Sequence, residues 1–195
     1  MGAPDEITRC RWVKLSHSAS VRYHDEEWGV PVRDDRRLFE LLLLEGFQAG
    51  LSWACILDKR AAFSWAFDGF DPERVSAYGA EKLEALERDP SIVRNRLKIR
   101  AAVNNAAVFR RIQEEWGSFH RYLWHWTGGK VIYETGQVRS GLSDAVSGDL
   151  RKRGMKFMGT VTVYAYLQAV GVINSHEEIC FCRTRPGSGP CGAGT

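Results

Sequence analysis

With 195 residues, 44% of them hydrophobic and 26% charged, the chain is long enough to bury one real core and ordinary enough in composition to be a soluble globular protein. No stretch approaches the roughly 20 apolar residues of a membrane span, and residues 1–9 lack the apolar segment of a signal peptide, so a cytoplasmic protein without a membrane partner is expected. A formal net charge of +3 permits a polyanionic partner without requiring one, and five cysteines, lying mostly near the chain ends, fit thiols or metal ligands better than a disulfide framework.

Residues 1–8 and 184–195 are predicted to be flexible tails, the second (TRPGSGPCGAGT) too rich in Gly and Pro to bury anything and carrying Cys191 with it. Between them, residues 9–183 read as a single domain of two helical lobes. The opening segment, 9–31, is polar and aromatic without a clean period, and is expected to be irregular up to the turn at Gly29 to Pro31. Asp34 or Asp35 then caps the first long helix, which carries LFELLLLEGFQAGLSW from Leu38 to Trp53. Four leucines in succession, Leu41 to Leu44, place apolar side chains around the whole circumference, so this helix runs through a core instead of along its surface. The run ends in Glu45, a carboxylate that is costly to bury unless it is paired. Gly46 offers a helix stop that would leave Glu45 at the mouth of a cavity; the alternative is a carboxylate rolled out to solvent. Gln48, Gly50 and Trp53 add a backbone that a ligand can approach and an aromatic plane to receive it.

Further helices are expected over 56–67, from Asp71 with Pro72 at the first helical position, over 80–88, over 92–112 as one helix or two, and over 119–126, 143–153 and 160–170. Asp89, Pro90 and Ser91 break the chain, and only 130–139 (KVIYETGQVR) alternates like a strand. The class is all-α. Trp65, Trp116, Trp124 and Trp126 read as core, whereas Trp12, Tyr23, Trp28 and Trp53 flank the Glu45 segment as faces for a flat, cationic ligand. Arg94, Arg96, Lys98 and Arg100 follow the Ser91 turn, where free backbone N–H groups at a helix start can grip a phosphate. Arg151, Lys152, Arg153 and Lys156 form a second basic run, and either run could equally be a solvated helix face. Cys10 with His24, and His176 with Cys180, are two pairs of soft ligands, the second pair four residues apart on one helical face or turn. Zinc suits them, and four protein ligands would close the site and make the metal structural; Cys182 rivals Cys180.

CRWV from Cys10, YHDEEWGVP from Tyr23 to Pro31, the LFELLLLEGFQAGLSW helix, VRNRLKI from Val93, LRKRGMKFMGT from Leu150 and VINSHEEICFC from Val172 together resemble the bacterial 3-methyladenine DNA glycosylase I family, over about Arg9 to Cys182. The resemblance implies an all-α, helix-hairpin-helix fold with one structural zinc per chain, held by Cys10, His24, His176 and Cys180. It implies a monomer that flips 3-methyladenine out of double-stranded DNA containing alkylated purines and hydrolyses its N-glycosidic bond. Glu45 and Tyr23 would hydrogen-bond the base, Trp12 and Trp53 would stack on it, and Trp28 and Gln48 would line the pocket. Gly50, Leu51, Ser91, Arg94, Arg96 and Lys98 are then the expected DNA contacts. Ser91, preceded by Pro90, stands at the hairpin position where the family commonly has Gly, so a phosphate-gripping turn of different shape is expected there, and Ser18, Ala19 and Ser20 stand where the family often has a further pocket aromatic. No Asp is as well placed to activate water. The rival from another class is a non-catalytic zinc protein that reads damaged or bent DNA; a zinc hydrolase is disfavoured because four protein ligands leave no open metal position.

Overall fold

The computed structural model describes residues 7–48 and 50–184, so most of both expected tails, with Cys191, lies outside the described residues. The chain is mostly helical, with two strands of two residues each among the described residues. The segment expected to be irregular contains a helix, α1 (Ser18–Glu26). Its cap is a histidine: His17 Nδ1 accepts the Ser20 N–H at 3.1 Å while Nε2 meets Asp58 at 2.8 Å, a role outside the usual oxygen-bearing caps.

The leucine-rich helix, α2 (Asp35–Gln48), buries nearly everything from Leu38 to Phe47. Asp34 Oδ1 accepts the Arg37 N–H at 2.8 Å, whereas Asp35 turns across the fold to take the N–H groups of Phe119 and His120, each at 2.8 Å. Gly46 does not stop the helix, which continues to Gln48. It is a packing position, since a Cβ there would stand 3.3 Å from Met158 Cε. Then come α3 (Trp53–Ala66), α4 (Pro72–Ser76) capped by Asp71, and α5 (Ala80–Arg88). The long helix α6 (Arg96–Trp116) starts four residues later than the apolar pattern suggests, because Asn95 Oδ1 caps the N–H groups of Leu97 and Lys98, both at 3.1 Å. It is followed by α7 (Phe119–His125), β1 (Ile132–Tyr133), α8 (Gly141–Lys152), α9 (Thr160–Ala169) and β2 (Ile173–Asn174). The alternating stretch thus yields only β1, which pairs in parallel with β2, Ile132 facing Ile173 and Tyr133 facing Asn174.

One apolar core reaches from Tyr23 to Ile173, and α2 touches α3, α6, α7 and α9 within it. A separate small cluster gathers Cys10, Val13, Cys180 and Cys182, where the Phe181 N–H also bonds Thr8 O at 3.0 Å. After α9 the chain turns at Gly171, whose φ is +73° and where any Cβ would fall 2.3 Å from the carbonyl carbon of Val30. That contact presses the end of α9 against the chain leaving α1. Trp124 is core as expected, but Trp65 is 89% exposed. No helix among the described residues is long and apolar enough to cross a membrane.

Candidate active site and metal centre

The two chain ends meet at four buried side chains, Cys10, His24, His176 and Cys180, whose ligand atoms all lie within 4.8 Å of one another. Cys180 Sγ stands 3.4 Å from His24 Nε2 and 3.5 Å from His176 Nδ1, and Cys10 Sγ is 3.5 Å from the same Nδ1. The opposite ring nitrogens are fixed from outside. His24 Nδ1 meets Asp25 at 2.8 Å, and Arg9 clamps that carboxylate at 2.7 Å; His176 Nε2 meets the Trp28 carbonyl at 3.0 Å. This is the arrangement that sets tautomer and ring angle in metal-binding histidines. Backbone N–H groups of Glu177 and Cys182 approach the sulfurs of Cys10 and Cys180 at 3.4 and 3.5 Å. Burial pushes the Cys10 thiol up to about 12, so a thiolate here needs a cation beside it. The four residues fit a metal ion, and Cys180, which meets both histidines, takes the place for which Cys182 was a rival; Cys182 groups instead with His24 and Asp25.

Against this cluster lies a cavity of about 760 Å³ lined by Trp12, Tyr23, Trp28, Glu45, Gln48 and Trp53, with Thr135, Gly136, Gln137 and Ser175 among its other walls. Ring centroids run Trp28 to Trp12 at 5.0 Å, Trp12 to Tyr23 at 6.5 Å and Tyr23 to Trp53 at 5.2 Å. The aromatic wall rests on the Cys/His cluster, since Trp28 meets His176 edge-on at 4.6 Å and Trp12 meets His24 at 5.5 Å. Glu45 is 5% exposed, and its Oε2 has no hydrogen-bond partner among the described residues; the indole Nε1 of Trp53 has none either. Burial alone lifts the Glu45 carboxyl to about 8. Burial, then the Glu45 charge, raises Tyr23 well above the ordinary phenol range, so Tyr23 keeps its proton as a donor. Such a wall can hold a flat ligand between rings and offers an ionisable acceptor at its edge.

The expected DNA contacts do not share one fate. Gly50 has φ +85°, and Leu51, its N–H bonded to Gln48 O at 2.7 Å, stands 40% exposed at the bend between α2 and α3. Arg94 and Arg96 are exposed. The Ser91 amide is not free for a phosphate: it donates to Asp89 Oδ1 at 2.8 Å, and Lys59 Nζ takes the Ser91 carbonyl at 2.9 Å. Lys98 is 7% exposed and donates to the Phe47 carbonyl at 2.8 Å, tying α6 to the end of α2, so it does not offer its charge to solvent. Ser18, Ala19 and Ser20 do not line the cavity; Ser20 is buried against His17, with Oγ 2.7 Å from Nδ1.

Two groups have no signal in the sequence. Arg60 bonds Glu40 at 2.7 Å and Glu27 at 2.9 Å, and Arg37 pairs with the same two carboxylates, bolting α1, α2 and α3 together beside Trp28. On α6, Asn105 grips both backbone groups of Lys156, N–H at 2.8 Å and C=O at 2.9 Å, while Asn104 takes Gly154 O at 2.8 Å. That amide pair shapes the hairpin from α8 to α9, in which Phe157 has φ +58°. Neither network follows from periodicity, because its members lie far apart in the chain.

Residues 12–183 match the model of the methyladenine glycosylase family. The DNA-3-methyladenine glycosylase 1 of Escherichia coli K12 is 38% identical over 190 residues, spanning 94% of this chain and all of that one. A crystal structure of 3-methyladenine DNA glycosylase I superposes with a TM-score of 0.86 at 39% identity, covering 90% of this chain and 99% of that one. The Staphylococcus aureus structure solved for the basis of 3-methyladenine recognition gives 0.83 at 36% identity, over 86% and 93% of the two chains. On sequence, fold and extent, the chain belongs to the methyladenine glycosylase family.

Proposed function

We propose that this cavity receives the base of a nucleotide flipped from alkylated double-stranded DNA, and that residues 9–183 act as one cytoplasmic, monomeric glycosylase domain. The protein is a DNA-3-methyladenine glycosylase that hydrolyses the N-glycosidic bond. The observation that carries the reading of the site is Glu45: a buried carboxylate with an unpartnered oxygen on an aromatic-lined cavity. A purine methylated at N3 is cationic while still attached to the sugar. Its positive charge lets Glu45 ionise and accept a hydrogen bond, while Trp12 and Trp53 hold the ring plane and Tyr23 donates to its edge. When the bond to C1′ breaks, the bonding pair stays with the base, which leaves neutral, so little acid assistance is needed. Neutral adenine brings no charge to offset the ionised carboxylate, and selectivity follows.

The four-ligand cluster is read as a structural zinc site. In tetrahedral zinc with Zn–S of about 2.3 Å and Zn–N of about 2.0–2.1 Å, sulfur and nitrogen stand about 3.5 Å apart, in keeping with the 3.4 and 3.5 Å separations across the cluster. The ion's part is to join the chain ends; with four protein ligands it takes no substrate. DNA would be held by Gly50, Leu51, Arg94 and Arg96 and by the hairpin between α8 and α9. Leu51 suits a wedge at the flipped site. The hairpin expected at Ser91 is read instead between α8 and α9, because the Ser91 amide is taken by Asp89 and the N-cap of α9, Gly159, makes no side-chain bond to the first turn, whereas Asn95 caps α6.

Incubation with methylated duplex and identification of the released bases tests the reading. Free 3-methyladenine is the expected product. Binding of methylated duplex without release of any base would instead make the protein a non-catalytic reader of damage.

A further inference from the structure

When a base is turned into the cavity, the sugar and phosphates of its own nucleotide stay at the mouth. A cation waits there. Of the described residues that line the cavity, Arg11 alone is cationic, and its side chain is 90% exposed, whereas Glu45 in the interior is 5% exposed. Arg11 directly precedes Trp12, one of the rings of the aromatic wall. It is also held in place. Its backbone N–H and its Nε both donate to Glu177 Oε1, at 3.1 and 3.2 Å, and its terminal Nη groups make no bond among the described residues. A guanidinium with one edge tied and the other open suits an oxyanion.

Glu177 opens a closed turn. The Cys180 N–H bonds Glu177 O at 2.9 Å, and both ends of the turn are anchored in the Cys/His cluster, through the His176 and Cys180 side chains and through the Glu177 N–H on Cys10 Sγ at 3.4 Å. At its tip Ile179 lines the cavity while 71% exposed. A lone exposed isoleucine needs no explanation on most surfaces; this one shares a lip of the cavity with Arg11. The base itself is not what Arg11 serves, because a purine methylated at N3 carries charge of the same sign. We propose that Arg11 and Ile179 form a backbone site at this lip, Arg11 binding the phosphodiester of the flipped nucleotide and Ile179 packing on its deoxyribose, with Glu177 as the positioning residue for Arg11. Glu178, exposed on the same turn, carries the phosphate's own sign, and Arg11 is the group that offsets it. The proposal rests on the glycosylase reading.

The test is kcat/KM for release of 3-methyladenine from methylated duplex by Arg11→Gln, Arg11→Lys and Ile179→Ala. Affinity for undamaged duplex, affinity for free 3-methyladenine, zinc content and thermal midpoint are measured on the same samples. Arg11→Gln is expected to lower kcat/KM about tenfold, the low end for a charged hydrogen bond because the lip is open to solvent. Arg11→Lys keeps the charge and should stay within about threefold of wild type. Ile179→Ala should cost about fourfold, as for one methylene no longer removed from water. Free-base affinity, zinc content and binding of undamaged duplex, in which no nucleotide is flipped, should stay near wild type in all three. Wild-type kcat/KM in Arg11→Gln would overturn the proposal, and so would an Arg11→Lys no better than Arg11→Gln, which would remove charge as the cause. An equal loss on undamaged duplex would make Arg11 a general DNA contact, and a matched loss of free-base affinity would place it in the base wall; either result also overturns the site. Failure of the wild-type protein to release any base would instead sink the glycosylase reading.

Discussion

At the scale of one side chain, the proposed chemistry turns on Glu45, a buried carboxyl on the cavity with an unpartnered oxygen. Burial sets its carboxyl at about 8, so in the empty cavity at neutral pH it is largely protonated, and a cationic base draws it back to the carboxylate. Because kcat/KM reports ionisations of the free enzyme, excision should climb with pH through about 8 and level off above it. Glu45→Gln should flatten that profile and lower kcat/KM by about 1.5–3 kcal/mol, the worth of a charged hydrogen-bond partner, leaving zinc content and duplex binding near wild type. Undiminished release by Glu45→Gln would move selectivity to the aromatic wall. The same burial has a stability signature. The folded state holds this proton up to about 8 while the unfolded chain releases it near 4.5, so the folded state carries the extra proton between those values and loses stability as pH rises through them. Thermal midpoints should therefore show Glu45→Gln close to wild type at pH 4 and more stable than wild type at pH 9.

At the scale of elements, α2 and the basic turn before α6 separate what periodicity reveals from what it hides. Replacing Leu44, fully buried at the centre of α2, by Ala should cost about 2–5 kcal/mol in denaturant unfolding, most of it for the cavity left behind. Arg94→Ala or Arg96→Ala should weaken binding to all duplexes alike and reduce the salt slope by about 0.9 for each phosphate no longer neutralised; a deficit confined to methylated DNA would place these side chains in the pocket. Lys98→Met should leave the salt slope alone, since its ammonium serves the Phe47 carbonyl. The mostly helical class, the burial of α2 and the two Cys/His pairs that the fold brings together were legible in the sequence because each rests on local spacing or on residue types with few other uses. What stayed hidden was made by partners far apart in the chain. Lys98 reads as one more cation in a basic run, and only the end of α2 beside it turns it inward. Asp35 reads as a cap for its own helix and instead caps α7 from 84 residues away. Gly46 reads as a stop because a close approach by Met158 leaves no mark in the local pattern.

Across the whole molecule, the Cys/His cluster and the main core pack as distinct groups that meet at the aromatic wall. Cys10 and Cys180 pack in their own small cluster, while the large core runs through α2, α6 and α9 without them. Trp12 and Trp28 stand between the two, against His24 and His176 on one side and the cavity on the other. If the cluster holds the proposed zinc, its loss should therefore act on the pocket before it acts on the fold. In small zinc domains the binding energy of the ion is the folding energy; here the large core packs apart from the Cys/His cluster, so the proposed ion would act chiefly on the joined chain ends. Chelation, or replacement of His176 and Cys180 together, should remove one metal per chain and lower the thermal midpoint. Far-UV helicity and duplex affinity should be nearly intact, while affinity for free 3-methyladenine falls as the indoles lose their backing. Stoichiometric metal in the double variant would rule out this ligand set. If helicity collapses together with base binding, the ion holds the entire fold; if base binding survives, the aromatic wall stands without the metal centre behind it.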